Sequence, residues 1–285
     1  MRICVIIFLS SSLYCLYSCT GTRNLYSSSP FISPVPLDKG ASEIEGNYFT
    51  HTRNQNNDSG QLHRDNSFGL GIFYMIKTKT ALTAFGDIKN ERDRYHDSIA
   101  LRNDPTFNGG FDSSNVVGKR YTLGAGIEFF PGGEGKTIKS FAILIDMHLV
   151  SINESGSSGN RGYDRFFKMD QLSLSLQQNF LFTVKDNWKI GWITRLTLLN
   201  NFKAFTNYSS PEKLTTGLRG ERVNIIFCPT GLYTEYKPSK TLPISLNGQF
   251  FNDLSLIKHP LAKYELGRVY IKGTGLSVGV KYLLK

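Results

Sequence analysis

Cysteine is scarce in this chain, and where it falls excludes more than its number does. Cys4, Cys15 and Cys19 lie in the first nineteen residues, leaving Cys228 alone in the body. One thiol cannot build an internal disulfide framework, and zinc sites of the two-cysteine type are excluded with it. Tryptophan occurs twice and methionine four times, against 20 Phe and 14 Tyr. Acid is also short, with 23 Asp and Glu against 33 Lys and Arg, a formal net charge of +10. A basic surface suits nucleic acid, anionic lipid head groups or glycans. There is no basic helix and no nucleic-acid motif, so no nucleic-acid partner is expected. Beyond the first residues no window approaches eighteen apolar residues; the longest runs are 72–76 and 141–145. A helical membrane span is therefore not expected in the mature chain.

What is present begins with a targeting pattern. Arg2 supplies a positive start, and residues 3–16 are apolar apart from Ser10, Ser11 and Ser12. That run is too short and too interrupted for a membrane-spanning helix, and residues 1–18 read as a signal peptide. It ends in Leu16-Tyr17-Ser18-Cys19, which resembles the lipobox of bacterial lipoproteins and makes Cys19 the expected site of lipid attachment. Tyr17 departs from the small residue usual at its place. Residues 19–40 form a Ser/Pro-rich tether, with Pro30, Pro34 and Pro36 opposing regular structure.

From residue 41 to 285 the dominant period is two. In 171–183, Leu172, Leu174, Leu176, Phe180 and Phe182 share one parity, while Gln171, Ser173, Ser175, Gln177, Asn179 and Thr183 share the other. Successive strand side chains project to opposite faces, so one face is greasy and the other wet. Only Gln178 and Leu181 break the pattern. Residues 121–129 and 276–284 repeat it. The pattern predicts strands at 41–50, 67–77, 80–90, 119–130, 137–151, 167–183, 188–204, 221–236, 242–252 and 268–284. Strands three and eight alternate poorly, and Pro229 in the latter predicts a kink or bulge. Links at 78–79, 131–136, 184–187 and 237–241 are short; those at 51–66, 91–118, 152–166, 205–220 and 253–267 are long and polar. Short and long links therefore alternate, as they do in an up-and-down transmembrane β-barrel with periplasmic turns and extracellular loops. The expected fold is all-β and antiparallel, with about ten strands.

A soluble barrel shows the same alternation with inside and outside exchanged. Three features favour the membrane arrangement. Glu128, Asp146, His148, Gln177, Lys189 and Arg195 all fall on the face opposite the large apolar residues. Glycine favours that face at Gly124, Gly126, Gly273, Gly275 and Gly279, as a crowded lumen requires. Phe130, Phe182, Trp188, Tyr236 and Tyr282 gather at short-turn ends, where an interfacial aromatic girdle belongs. Glu128, Asp146, His148, Lys189 and Arg195 form the candidate polar cluster of the lumen. Asp146 and His148 are two apart on one strand, while Ser151 has the opposite parity. A hydrogen-bonded structural network is the expected reading, since buried charges need partners. No cofactor and no metal site is expected. His51, His63, His96 and His259 fall in predicted loops without ligand spacing. Gly132-Gly133-Glu134-Gly135-Lys136-Thr137 looks like part of a phosphate loop, but Phe130 stands where that pattern needs glycine and a strand follows, so it reads as a turn. Residues 91–118, with Arg92, Asp93, Arg94, Tyr95, Asp104 and Phe107, are expected to form a long loop with two readings open: a binding place for an extracellular ligand, or a mobile or lumen-folded loop without one.

Taken together, the lipobox-like leader, the Pro-rich tether, the Lys39-Gly40 entry and the strand pairs to the end resemble outer-membrane β-barrel lipoproteins of the Bacteroidota. The resemblance implies an outer-membrane location with a periplasmic N-terminus and contact with outer-membrane lipids. It implies no particular activity. Tyr282 and Leu284 are spaced as in the terminal assembly signal of barrel proteins, although the chain ends in Lys285. Three functions stay open: a non-enzymatic structural, interaction or small-solute passage protein; a membrane-embedded lipid hydrolase using His148; and a lipid-anchored soluble barrel holding an apolar ligand. The first is favoured. Oligomeric state leaves no sign in the sequence.

Overall fold

A computed structural model describes residues 32, 38–55, 61–96, 113–132, 136–158, 161–206, 224–227, 230–239, 241–257 and 268–284. Cys19, the leader, most of the 19–40 tether and His259 lie outside them, as do Asp104 and Phe107. Every regular element among the described residues is a strand. They are β1 (Ser42–Gln55), β2 (Gln61–Lys77), β3 (Thr80–His96), β4 (Ser113–Gly132), β5 (Thr137–Ser158), β6 (Arg161–Lys185), β7 (Trp188–Thr206), β8 (Asn224–Phe227), β9 (Thr230–Tyr236), β10 (Ile244–Ile257) and β11 (Arg268–Leu284). Each pairs antiparallel with its neighbours, and β1 pairs with β11 from Ser42↔Leu284 to Thr52↔Thr274. The sheet closes on itself.

Both β8 and β9 lie between β7 and β10, so eleven strands make ten staves. Across the gap, β7 pairs Thr197 with Phe227 and Thr194 with Thr230, three residues apart on each side. On the other flank β10 does the same, with Ser255↔Phe227 and Asn252↔Thr230. The register is the same on both sides of 228–229. The kink or bulge expected at Pro229 lies outside the described residues.

Sidedness is that of a membrane barrel. On β6, Leu172, Leu174, Leu176 and Phe182 are exposed, whereas Gln171, Ser173, Ser175, Gln177 and Asn179 are buried. The rule holds round the wall: Tyr121, Leu123, Ile127 and Phe129 of β4 and Phe141 to Leu149 of β5 face outward in alternation with buried Thr122, Glu128, Asp146 and His148. This arrangement overturns the soluble alternative, in which the greasy face would line the interior. Eight residue steps from Phe141 to Leu149 span ~26 Å along a strand. At the usual barrel tilt that is ~20 Å across the membrane, close to the ~25 Å apolar band of such barrels.

Several strands overshoot that band. β5 has 22 residues and β6 has 25, where a tilted crossing needs roughly 9–11. The stretches between described strands accordingly shrink to 56–60 after β1 and 159–160 after β5, while 97–112, 207–223 and 258–267 lie outside the described residues. Residues 91–96 and 113–118, expected in a loop, are strand. His51, expected in a loop as well, lies on the inner wall and is fully buried. Beyond the membrane both faces of a strand are polar, so the two-sided signal fades although the pairing continues. Phe130 also differs from expectation: it points inward and is buried, while Phe182, Trp188, Tyr236 and Tyr282 face out.

Phe130 belongs to an inner apolar layer. Phe73, Met75, Ala81, Phe130, Ile138, Leu181, Ile193 and Tyr233, from seven staves, cluster inside the wall near the short-turn end, with Phe49 and Phe251. Phe49 and Phe251 stack with ring centroids 5.2 Å apart. Gly275 gives them room: a Cβ there would sit 2.7 Å from each ring.

Candidate functional site in the barrel lumen

Apart from the apolar layer the inner wall is polar. Among the described residues, nine carboxylates are buried along it against four Lys and Arg side chains. The interior is therefore acidic, and the excess of basic residues is carried elsewhere.

Alternation places Asp146 and His148 of β5 side by side on the inner wall, with Thr122 on β4 directly opposite His148 and Ser173 on β6 directly opposite Asp146. His148 Nε2 is 2.8 Å from Asp146 Oδ2, and its Nδ1 is 3.0 Å from Thr122 Oγ1. An Nε2–H donated to the carboxylate leaves Nδ1 to accept the Thr122 hydroxyl. Ser173 Oγ lies 3.4 Å from the same Nε2. Such a hydroxyl–imidazole–carboxylate series can polarise an O–H, the chemistry of an activated nucleophile. Here His148 is 0% exposed.

Three other members of the predicted cluster divide into two groups. Arg195 donates through Nε and Nη2 to Gln177 Oε1 at 3.0 and 2.6 Å. Gln177 Nε2 donates to Asn179 Oδ1 at 2.9 Å, and Asn179 Nδ2 donates to Glu128 Oε1 at 3.0 Å and to Ser140 Oγ at 2.9 Å. One chain thus links Arg195 of β7 to Glu128 of β4. Gln177 also donates to the carbonyl of Ile32, so one residue of the 19–40 segment sits against the inner wall.

Lys189 is not part of this chain. It faces Glu235 at 3.4 Å, nearer the short turns. There Lys281 reaches Glu43 at 3.0 Å and Glu235 at 3.4 Å, Tyr233 donates to Glu235 at 2.7 Å, and Asn247 donates to Glu45 at 2.9 Å. Nearer the opposite end Arg120 pairs with Glu91 at 2.8 Å, His51 lies 3.5 Å from Asp65, and Lys89 stands 5.1 Å over the Phe49 ring. Sequence reasoning missed Glu43 and Lys281 as partners because they meet through barrel closure, and Glu235 because it reaches Lys281 across β10. Glu91 was hidden by a strand end placed at 90, whereas Lys89 and Arg120 lay inside the predicted strands 80–90 and 119–130 without being singled out. Their signal was parity: each falls two or four residues from a known inner-wall position.

Fold and site together define a closed, polar-cored, membrane-spanning β-barrel. No family model matches the chain, and no curated protein does. Among solved structures it is similar to the translocator domain of autotransporter NalP from Neisseria meningitidis, at 11% identity over 86% of this chain and 89% of that one, TM-score 0.48. It is also similar to outer membrane protease OmpT from Escherichia coli, at 10% identity over 90% and 100%, TM-score 0.45. The attachment invasion locus protein Ail of Yersinia pestis aligns at 11% identity over 86% and 99%, TM-score 0.31.

Proposed function

We propose that this chain is an outer-membrane β-barrel of structural or interaction type, lipid-anchored through Cys19 with a periplasmic N-terminus, and closed to solutes. The observation behind this reading is the state of the inner wall. Gln177 is 0% exposed, Asn179, Ser173 and Ser175 are nearly so, and an apolar layer from seven staves lies beneath them. A lumen that water cannot line does not conduct. Strands instead carry the outer wall well beyond the lipid, where partners meet it.

Single cysteines at Leu174 and Ser175 in a Cys228→Ser background, in whole cells and in proteoliposomes, test the reading. Neither position should react with a membrane-impermeant maleimide, and Leu174 alone should react with a lipid-soluble one. Rapid impermeant labelling at Ser175 would refute a closed lumen. Palmitate incorporation that is lost in Cys19→Ala tests the anchor.

A second reading, lipid hydrolysis at His148, has the Asp146 and Thr122 contacts in its favour. It requires an ester to reach the inside of the wall. Radiolabelled phospholipid turned over by wild type and not by His148→Ala would establish it.

A further inference from the structure

Among the described residues, basic side chains outnumber acidic ones on the outside of the wall. Moving outward along each of β2 to β6, the exposed face changes from apolar to polar at one continuous registered row. The last row of the belt is Phe68↔Ile88↔Tyr121↔Leu149↔Asp170, and the next is Asn66↔Asn90↔Lys119↔Ser151↔Lys168. One row further comes Arg64↔Arg92↔Val117↔Asn153↔Phe166, and beyond it Arg94↔Asn115↔Ser155↔Asp164. Arg64, Arg92, Arg94, Lys119 and Lys168 are all exposed. On this face the described acids are Asp164 and Asp170, both at the β6 flank.

Arg64 and Arg92 are direct cross-strand partners. Like charges so placed, with Cβ atoms ~5 Å apart, destabilise a sheet unless an anion lies between them. Arginine forks match phosphate oxygens in a bidentate way. Beside the arginines, on β4 to β6, a cavity of about 410 Å³ is lined by Asn115, Val117, Asn153, Glu154, Ser155, Asp164 and Phe166. An aromatic face ringed by amides, a hydroxyl and two carboxylates suits a sugar, whose C–H face packs on the ring while its hydroxyls bond to the polar groups.

We propose that this patch binds the phosphorylated sugar head group of an outer-leaflet glycolipid. The order of rows follows the order of such an amphiphile. Acyl chains lie on Phe68, Ile88, Tyr121 and Leu149; phosphate sits among Lys119, Arg64, Arg92 and Arg94; sugar enters the cavity against Phe166. The proposal rests on the outer-membrane reading above, with the long-loop end outward.

Binding of short-core diphosphorylated lipopolysaccharide to the full chain in zwitterionic nanodiscs tests it, with phosphatase-treated lipopolysaccharide and phosphatidylglycerol as comparison probes. Variants are Arg64→Gln/Arg92→Gln/Arg94→Gln, Lys119→Gln/Lys168→Gln, Phe166→Ala, and a short-turn-end control, Lys77→Gln/Lys139→Gln/Lys185→Gln. Heat-modifiable gel migration verifies folding of each. Removing the arginines, or the lipid's phosphates, should weaken binding more than tenfold, and the control should stay within twofold. Phe166→Ala should lower affinity for lipopolysaccharide and not for phosphatidylglycerol. Undiminished binding by the arginine and lysine variants overturns the proposal, as does equal loss in the control, which would mean diffuse attraction. Phosphatidylglycerol bound as tightly as lipopolysaccharide removes the sugar from it. Surface labelling that put Arg92 in the periplasm would instead defeat the orientation, leaving the affinity result to stand by itself.

Discussion

At the scale of single residues, the sign of a substitution depends on which face it occupies. Leu123 is 74% exposed in the middle of the belt, so Leu123→Arg should make folding into liposomes less favourable by about 2–4 kcal/mol, the cost of a cation near the membrane midplane. Urea titration of vesicle-inserted protein measures this directly. Gly275 lies on the inner side, where a Cβ would meet Phe49 and Phe251 at 2.7 Å. Gly275→Leu should destabilise by about 1–3 kcal/mol through overpacking, and Phe251→Ala in the same chain should return part of the loss. A lone Gly275→Leu as stable as wild type would mean the rings can separate. Asp146, His148, Glu128 and Arg195 could be assigned to the inner wall from parity because their strands alternate cleanly over the belt. Their partners could not be read, since strand order tells which staves touch but not which side chains reach across.

Among the elements, β5 and β6 pair far past the lipid, down to Ser158↔Arg161. Glu154 and Arg165 are register partners, so 155–164 can be replaced by a two-residue Asn-Gly turn suited to a hairpin. The shortened protein should keep its heat-modifiable migration with a transition within a few degrees of wild type, because the belt and the His148 network lie below the cut. It should bind lipopolysaccharide more weakly, having lost one side of the cavity. Collapse of the barrel would show that the overhang holds the wall together. The strands over the belt were legible in the sequence, down to the exceptions at Gln178 and Leu181: the first is exposed, the second buried. β3 was harder to read because Ala84 and Gly86 occupy outward positions where large apolar residues mark the other staves. The overhangs were read as loops, since water on both sides removes the reason for one face to differ from the other.

At the scale of the whole molecule, charge is sorted among the described residues, with carboxylates concentrated inside and basic side chains on the outer wall at both edges of the belt. Planar-bilayer recordings of wild type should be silent. Phe73→Ser/Phe130→Ser/Leu181→Ser, which removes part of the apolar layer, should give small cation-preferring steps, because nine carboxylates then line the opened path. Anion preference in that variant would contradict the sorting. The pairing of β1 with β11 has a further consequence, for biogenesis. The first and last staves are neighbours, so the cylinder has no complete seam until β11 has been made and delivered to β1. Two raw hydrogen-bonding edges must then stay apart from other chains throughout export, and zipping them together is the step that commits the protein to its bilayer.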